Sequence, residues 1–331
     1  MKKRKKRYVI LGVIFVLLAG VVLYNIYDNH RFVVTKQDIW MAELPEAFDG
    51  YQILQISDLH GENFGEHQED LCAAINDIAY DCVVFTGDMN KYEESDPLSS
   101  QAILDLLNGL EHKNPALWVD GNTGPFAMEA FDGSYTGRLT EMGEIIEQAG
   151  VEVLDAPVEI TRDGTRIWFV PELCETEIQM NYLSIPEDPF ENPEDYQSMV
   201  SYGQSLQNWY EQLNHNGEVK IRVNHFPIQA NLTQESWDSL GYLDYHLSIA
   251  GHYHGGQIRL PLIGALYIPS PTSGLFNGYF PNQNEVKGLQ KILDMQQYVS
   301  AGLGSSAAIP FLDFRFFNTP EINLITLHTQ G

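Results

Sequence analysis

The chain has 331 residues, 44% hydrophobic and 19% charged, a balance that excludes a disordered chain and suits one large domain or two small ones. Its formal net charge is -26 even though Lys2, Lys3, Arg4, Lys5, Lys6 and Arg7 are all basic, so the body that follows is more acidic still. Such a body repels nucleic-acid backbones and anionic lipid surfaces, and no nucleic-acid binding is expected of it. A phosphorylated small molecule held through metal ions remains compatible.

The first predicted element is a membrane helix. Tyr8 to Tyr27, YVILGVIFVLLAGVVLYNIY, carries no charged residue, and twenty helical residues span about 30 Å, one hydrocarbon core. Tyr8, Tyr24 and Tyr27 lie towards its ends, where aromatic belts form. A cleaved signal peptide is the alternative, but no small-x-small site follows the apolar run. After Leu17-Leu18-Ala19-Gly20, Val21 stands where a lipoprotein would need its cysteine. The sequence therefore predicts an uncleaved, single-pass signal anchor over residues 8–27. The basic residues 1–7 stay cytoplasmic and everything after residue 28 lies on the outer face.

Residues 28–43 read as a connector with a β-prone stretch at 32–40, and the main domain is expected over 44–331. Apolar β-type runs follow at 52–57, 82–86, 116–120, 219–224 and 245–250. Helical patterns lie between the early ones. They place Leu71, Ile75, Ile78 and Ala79 on one face of 68–79, Ile103, Leu106, Leu107 and Leu110 on one face of 98–110, and Leu139, Met142, Ile146 and Ala149 on one face of 138–149. Such alternation implies a sheet covered by helices. Asp163-Gly164 inside VEITRDGTRIWFV predicts a hairpin over 158–170, and QKILDM, QYVSAG and INLITL make the tail strand-rich. These later strands suggest a second sheet packed face to face with the first, helices outside. Residues 171–215, acidic and proline-containing, read as an insertion: a solvated loop with a helix near 196–213, or a cap over the site. Cys72, Cys82 and Cys174 make no disulfide framework, and the first two fall in apolar stretches expected to be buried.

Five of the strand-like runs end in residues able to hold a metal. They are Ser57-Asp58-Leu59-His60, Thr86-Gly87-Asp88, Asp120-Gly121-Asn122, Asn224-His225-Phe226-Pro227 and Gly251-His252-Tyr253-His254-Gly255-Gly256. Sites in open α/β sheets form just beyond the carboxyl ends of strands, so these loops would converge. Each motif alone is weak, since a D-x-H is common and Gly-Asp more often marks a turn. Their order and placement make coincidence a poor explanation. Carboxylate, amide and imidazole together suit Mn, Fe or Zn better than Ca or Mg.

This series of D-x-H, G-D, G-N, H and G-H-x-H resembles the calcineurin-like metallophosphoesterases. ILQISDLHG (53–61), GHYHGGQIRLP (251–261), YVSAGLGSSAAIP and PEINLITL are similar to a membrane-associated bacterial branch that includes UDP-2,3-diacylglucosamine hydrolases. The resemblance covers about residue 44 to the end apart from 171–215. It implies a four-layer α/β/β/α sandwich of two packed mixed sheets, preceded by the one N-terminal transmembrane helix. It implies two divalent metal ions, one on Asp58, His60 and His254, the other on Asn122, His225 and His252, with Asp88 bridging. A hydroxide shared by the two metals would attack phosphorus in a phosphoric ester or pyrophosphate, and the substrate would be small or lipid-linked.

One position departs from the pattern. Where the family reads G-N-H, with a histidine that contacts phosphate and helps protonate the leaving group, this chain has Gly121-Asn122-Thr123-Gly124. Thr123 can donate a hydrogen bond but is no general acid near neutral pH. Three expectations follow: a substrate with a good leaving group such as a pyrophosphate, a substitute acid among Tyr253, His67 and His112, or a weak or inactive metal-binding surface protein. The first two are favoured.

Overall fold

The computed structural model of the chain describes residues 2–91, 100–113, 115–131, 134–172, 193–214, 216–269, 278–306 and 313–330. It opens with α1 (Lys2–Asn29), of which Lys6–Asn29 is long and apolar enough to cross a membrane, and only 6% of its apolar window is buried in the protein. The exposed Leu, Ile and Val side chains of α1 have no water-soluble core to enter, so the helix has the surface of an anchor or a signal segment.

Two six-stranded mixed sheets form the body. The first runs β1 (Val33–Met41), β16 (Glu321–Thr329), β2 (Tyr51–Ile56), β3 (Cys82–Thr86), β4 (Ala116–Val119), β7 (Glu152–Val153). In it β2, β3, β4 and β7 are parallel and β16 runs against β2. The second runs β14 (Gly288–Ile292), β15 (Met295–Val299), β11 (Leu247–Ala250), β10 (Val219–Val223), β9 (Thr165–Pro171), β8 (Val158–Arg162). Its central four are parallel, with antiparallel hairpins at both edges. Every residue of β3, β4, β10 and β11 is buried, as expected of parallel strands covered on both faces.

Three apolar layers separate the four. Between the sheets, Ile53, Val84 and Leu117 meet Ile167, Phe169, Ile221 and Ile249. On the far side of the first sheet, Leu71 and Ile75 of α2 (Glu69–Asn76), Ile103 and Leu107 of α3 (Gln101–Gly109) and Met142 and Ile146 of α4 (Glu141–Gln148) cover Leu54, Val83 and Trp118. On the far side of the second, Met199, Leu206 and Leu213 of α5 (Pro193–Leu213) and Trp237 of α6 (Gln234–Leu240) cover Trp168 and Val170. The α/β/β/α sandwich read from the sequence is the fold, and the faces assigned to the three helices pack inwards through Leu71 and Ile75, through Ile103, Leu106 and Leu107, and through Met142 and Ile146, whereas α2 ends at Asn76 and leaves Ile78 half-buried and Ala79 exposed beyond it. Cys72 and Cys82 are buried and unpaired as expected, whereas Cys174 lies outside the described residues.

Three further local readings differ. The 138–149 pattern is helical only from Glu141, because Arg138 and Leu139 belong to β6 (Ser134–Leu139), paired with β5 (Met128–Phe131). Thr140 is the N-cap instead, its hydroxyl accepting from Gly143 N–H at 3.1 Å. QKILDM is not one strand but the end of β14, a two-residue turn and the start of β15, with Leu293 in the left-handed region. Within 171–215, residues 173–192 lie outside the described residues. Its helix, α5, begins at Pro193 and is a layer of the sandwich, its Tyr202 hydroxyl donating to Asp155 O at 2.7 Å.

Candidate metal centre

The carboxyl ends of β2, β3 and β4 in one sheet and of β10 and β11 in the other meet at one edge of the sandwich. Each delivers its motif there. Gly121 packs against the Asp88 carboxylate and Gly251 against Ser57 and Asp58, so closely that a Cβ at either would overlap those atoms. The glycines of G-N and G-H are thus spacers that let neighbouring ligand loops touch. Asp58, His60, Asp88, His252 and His254 all have φ between +48° and +69°. Left-handed backbone at non-glycine residues costs about 1–3 kcal/mol each and persists where function requires the side chain's direction.

The side chains form two groups that share one residue. Ligand atoms of Asp58, His60, Asp88 and His254 lie within 4.8 Å of one another, as do those of Asp88, His225 and His252. Asn122 Oδ1 joins the second group, 3.0 Å from His225 Nε2. Asp88 Oδ1 accepts from Thr123 N–H at 2.7 Å, while Oδ2 faces both groups, 3.6 Å from His60 Nε2 and 3.4 Å from His225 Nε2. All seven residues predicted as ligands are therefore brought together, in the grouping expected.

Hydrogen bonds to the protein fix which ring nitrogen points inwards. His225 Nδ1 donates to Thr86 O at 2.9 Å, leaving Nε2 for the cluster, and His252 Nε2 donates to Pro269 O at 2.9 Å, leaving Nδ1. The His225 and His252 ligand nitrogens are 3.1 Å apart, and the Nε2 atoms of His60 and His254 are 3.3 Å apart.

Burial sets the charges. Desolvation brings His60 and His252 down to about 4 and His254 well below its ordinary value, so all three are neutral with lone pairs free. Burial also pushes Asp58 up to about 6, with the Asp88 charge adding to it. His225 goes the other way. Burial opposes its imidazolium, but the Asp88 and Asp58 carboxylates outweigh that and raise it to about 9. Burial likewise works against the Asp88 carboxylate, yet His225 and His60 hold its pKa well below the usual range.

Three neutral imidazoles and the carboxylates bring lone pairs together in a buried space, and His225 alone holds an extra proton, which a bound cation would displace. A divalent cation satisfies this donor set, and its mixture of oxygen and nitrogen suits Mn, Fe or Zn.

Thr123 sits beside the cluster, and its hydroxyl donates to Asn90 O at 2.8 Å. Among the three candidate substitutes, Tyr253 is buried with Ala265, Ile268, Val286 and Val299. His67 is exposed and bound to Asp105 at 2.9 Å. His112, whose carbonyl accepts from the Tyr80 hydroxyl, precedes β4 and so lies at the opposite end of the strands from the cluster.

Sequence reasoning missed Arg315. Wholly buried, its guanidinium donates to Asn318 O at 2.8 Å, Gly304 O at 2.7 Å, Ala301 O at 2.8 Å and, more loosely, His254 O at 3.4 Å. Asn318 Nδ2 donates to the same His254 carbonyl at 2.6 Å. Burial lowers the guanidinium pKa to about 10, so Arg315 stays charged and clamps the loop that carries His254. A single cation inside the aromatic run Phe314-Arg315-Phe316-Phe317 was the available signal.

The model of the family described as calcineurin-like phosphoesterase matches residues 51–256, and the chain belongs to that family. It is accordingly a phosphoester hydrolase with a buried Asp/His cluster suited to divalent metal. It is 25% identical to the uncharacterized metallophosphoesterase YkuE of Bacillus subtilis (strain 168) over 346 residues, covering 100% of both chains. It is 27% identical over 280 residues to the uncharacterized metallophosphoesterase YkoQ of the same organism, covering 82% of this chain and 81% of the relative. Among solved structures, a Staphylococcus aureus protein in complex with alpha-ketoglutarate aligns with TM-score 0.41 and 11% identity, over 86% of this chain and 55% of its own length. An Aquifex aeolicus protein of unknown function aligns with TM-score 0.26 and 14% identity, over 54% of this chain and 82% of its own.

Proposed function

We propose that the chain hydrolyses a phosphomonoester, phosphodiester or pyrophosphate using two divalent cations, Mn, Fe or Zn, at the outer face of the cytoplasmic membrane. One cation would be held by Asp58, His60 and His254, the other by Asn122, His225 and His252, with Asp88 between them. The observation that carries this reading is Asp88 Oδ2, a single carboxylate oxygen placed between His60 of one group and His225 of the other. Cations held by these residues would supply a water nucleophile and neutralise charge on the nonbridging phosphoryl oxygens.

The protein's own residues orient the rest. Thr86 O and Pro269 O hold His225 and His252 in the tautomers whose free nitrogens face inwards. The backbone N–H of Thr123 fixes Asp88 Oδ1 and so aims Oδ2. Asn122 is exposed where the others are largely buried, which puts its amide at the mouth of the site, against an entering phosphoryl group. With the Thr123 hydroxyl engaged by Asn90, no matched residue protonates a departing oxygen, and this favours leaving groups that depart as anions, such as pyrophosphates and aryl esters.

The anchor reading of α1 is supported by its last turns. Asn25 Oδ1 accepts from Phe317 N–H at 2.8 Å, Asp28 from the Thr319 hydroxyl at 3.0 Å, and Asn29 Oδ1 from Arg315 N–H at 2.7 Å. A helix destined for removal gains nothing from such bonds to the folded body. The substrate would be a phosphorylated small molecule or a lipid-linked one.

The test is hydrolysis of aryl phosphomonoester, diester and pyrophosphate substrates by the detergent-solubilised full chain, with and without Mn, beside Asp88→Ala. Mn-dependent turnover that falls by a factor on the order of 10² or more in the variant is expected. Equal rates in the two proteins would refute the reading.

A further inference from the structure

Backbone register fixes which way the hairpin of β12 (Arg259–Leu260) and β13 (Gly264–Ala265) points. Along α1, Asn29 Oδ1 accepts from Arg315 N–H at 2.7 Å and Asn25 Oδ1 from Phe317 N–H at 2.8 Å. Residues 315–317 therefore run against the helix. Four helical residues rise about 6 Å and two extended ones advance about 7 Å, so the segment lies along α1 and heads back towards the membrane. Gln257 to Arg259 follows it in parallel: Phe316 N–H donates to Gln257 O at 3.0 Å, and Arg259 N–H to Phe316 O at 2.9 Å. Arg259 is then level with Asn25, inside the apolar run that ends at Tyr27, and the chain is still descending. Two more extended residues advance about 7 Å, which puts the hairpin tip at Leu262 about 10 Å below Tyr27.

The tip has the chemistry for that depth. Leu260 to Ile268, LPLIGALYI, carries no charge in a chain of net charge -26. Leu262 is fully exposed and Ile263 more than half exposed. Ile263 N–H donates to Leu260 O at 3.1 Å, closing a turn with Pro261 second and Leu262 third, the latter at φ 68°. A third position at positive φ favours glycine or asparagine. A leucine there is strained, and no part of the described body covers it. Higher up, Leu266 N–H donates to Ile258 O at 3.1 Å and Phe280 N–H to Leu266 O at 2.8 Å. Half-exposed Phe280 thus stands level with Phe316 and Tyr27, where the apolar run ends and aromatic belts form.

We infer that the β12–β13 hairpin is a second membrane contact, its Leu262-Ile263 tip buried in the outer leaflet of the bilayer that α1 spans. The partner is the hydrocarbon itself, since the tip offers no charge to a headgroup. The inference rests on the reading of α1 as an uncleaved anchor and is independent of the hydrolase reading. Its consequence is a fixed orientation. A lone helix can tilt and roll in the bilayer, and an inserted hairpin beside it restrains both. The G-H-x-H loop runs straight into the descending arm, and Arg259 of that arm donates to Gly255 O at 2.6 Å, directly after His254. The hairpin thereby holds the metal centre at one height above the leaflet.

The test uses the full chain carrying Cys174→Ser in phosphatidylcholine nanodiscs, with nitrobenzoxadiazole on a single introduced cysteine; Cys72 and Cys82 are buried and stay unlabelled. Doxyl-bearing lipid quenches a probe in hydrocarbon, and iodide quenches one in water. At Leu262→Cys and at Ile263→Cys, doxyl lipid should remove at least about half of the emission and iodide little of it. At Asp163→Cys, on the exposed β8–β9 turn at the opposite end of the strands, the pattern should reverse. Iodide quenching at 262 and 263 as strong as at 163 overturns the inference. Protection from both quenchers overturns it too, because the tip would then be covered by protein, whether a second copy or another chain. Leu18→Cys separates this inference from the one beneath it. If its probe is quenched by doxyl lipid while those at 262 and 263 are not, the hairpin contact alone fails. If iodide reaches the probe at 18, α1 does not span the bilayer and the anchor reading fails with it.

Discussion

Arg315→Met tests whether a residue that touches no predicted metal atom nevertheless holds the centre together. The wild-type guanidinium makes three bonds of 2.7–2.8 Å, to Gly304, Ala301 and Asn318 carbonyls, and a longer one to His254 O. A hydrogen bond from a charged donor contributes about 1.5–3 kcal/mol, and stranding a buried carbonyl costs about 1–3 kcal/mol. Those figures do not simply add, because methionine removes the desolvation cost of a buried cation and the loops can relax towards water. A net loss of about 3–5 kcal/mol is the size seen when one partner of a buried charged network is removed. For a body of this size that lowers Tm by roughly 5–8 °C. Asn318 still holds His254 O at 2.6 Å, so the loop should loosen without being lost. Mn affinity should then fall about 10- to 100-fold, the usual effect of removing a group that supports a ligand. Thermal unfolding of the apoprotein and calorimetric Mn titration measure the two effects. A Tm within about 1 °C of wild type together with unchanged Mn affinity would refute the clamp.

Three further outcomes are expected. Thr123→His places an imidazole where the hydroxyl now bonds Asn90 O, and it should raise hydrolysis of alkyl phosphates about 10²-fold relative to aryl phosphates; equal gains on both would show that leaving-group protonation does not limit the reaction. Gly121→Ala puts a methyl group into the Asp88 carboxylate, so Mn binding measured by calorimetry should weaken at least about tenfold. Mn at 100 times its dissociation constant should stabilise the chain by about 2.7 kcal/mol, read as a rise in Tm that EDTA reverses. Ca at the same concentration should raise it less, given the imidazole-rich donor set.

The sequence exposed the centre because its ligands sit in short motifs at the ends of strongly apolar strands. A fully buried parallel strand such as β3 or β11 reads as an uninterrupted run, and the loop after it must carry whatever the site needs. The sandwich followed from the same runs together with the hairpin at Asp163-Gly164. What stayed hidden depends on contacts between distant segments. Arg315 reaches His254 across sixty residues, and Asn25, Asp28 and Asn29 reach residues 315–319 across almost the whole chain; no local pattern encodes either. The engagement of Thr123 by Asn90 was equally invisible, because a threonine's hydroxyl can turn to whichever acceptor the fold supplies. The end of β6, Arg138 and Leu139, was read as helix since Leu139 happens to fit the spacing of Met142 and Ile146, while the Thr140 cap decides where the helix begins.

The central claim is a pair of cations sharing Asp88, and electron paramagnetic resonance of the Mn-loaded chain tests it most directly. The account predicts two Mn per chain with the broadened spectrum of a spin-coupled pair, and in Asp88→Ala a loss of that coupling with fewer ions bound. One Mn per chain with an isolated six-line spectrum, unchanged in Asp88→Ala, would contradict it.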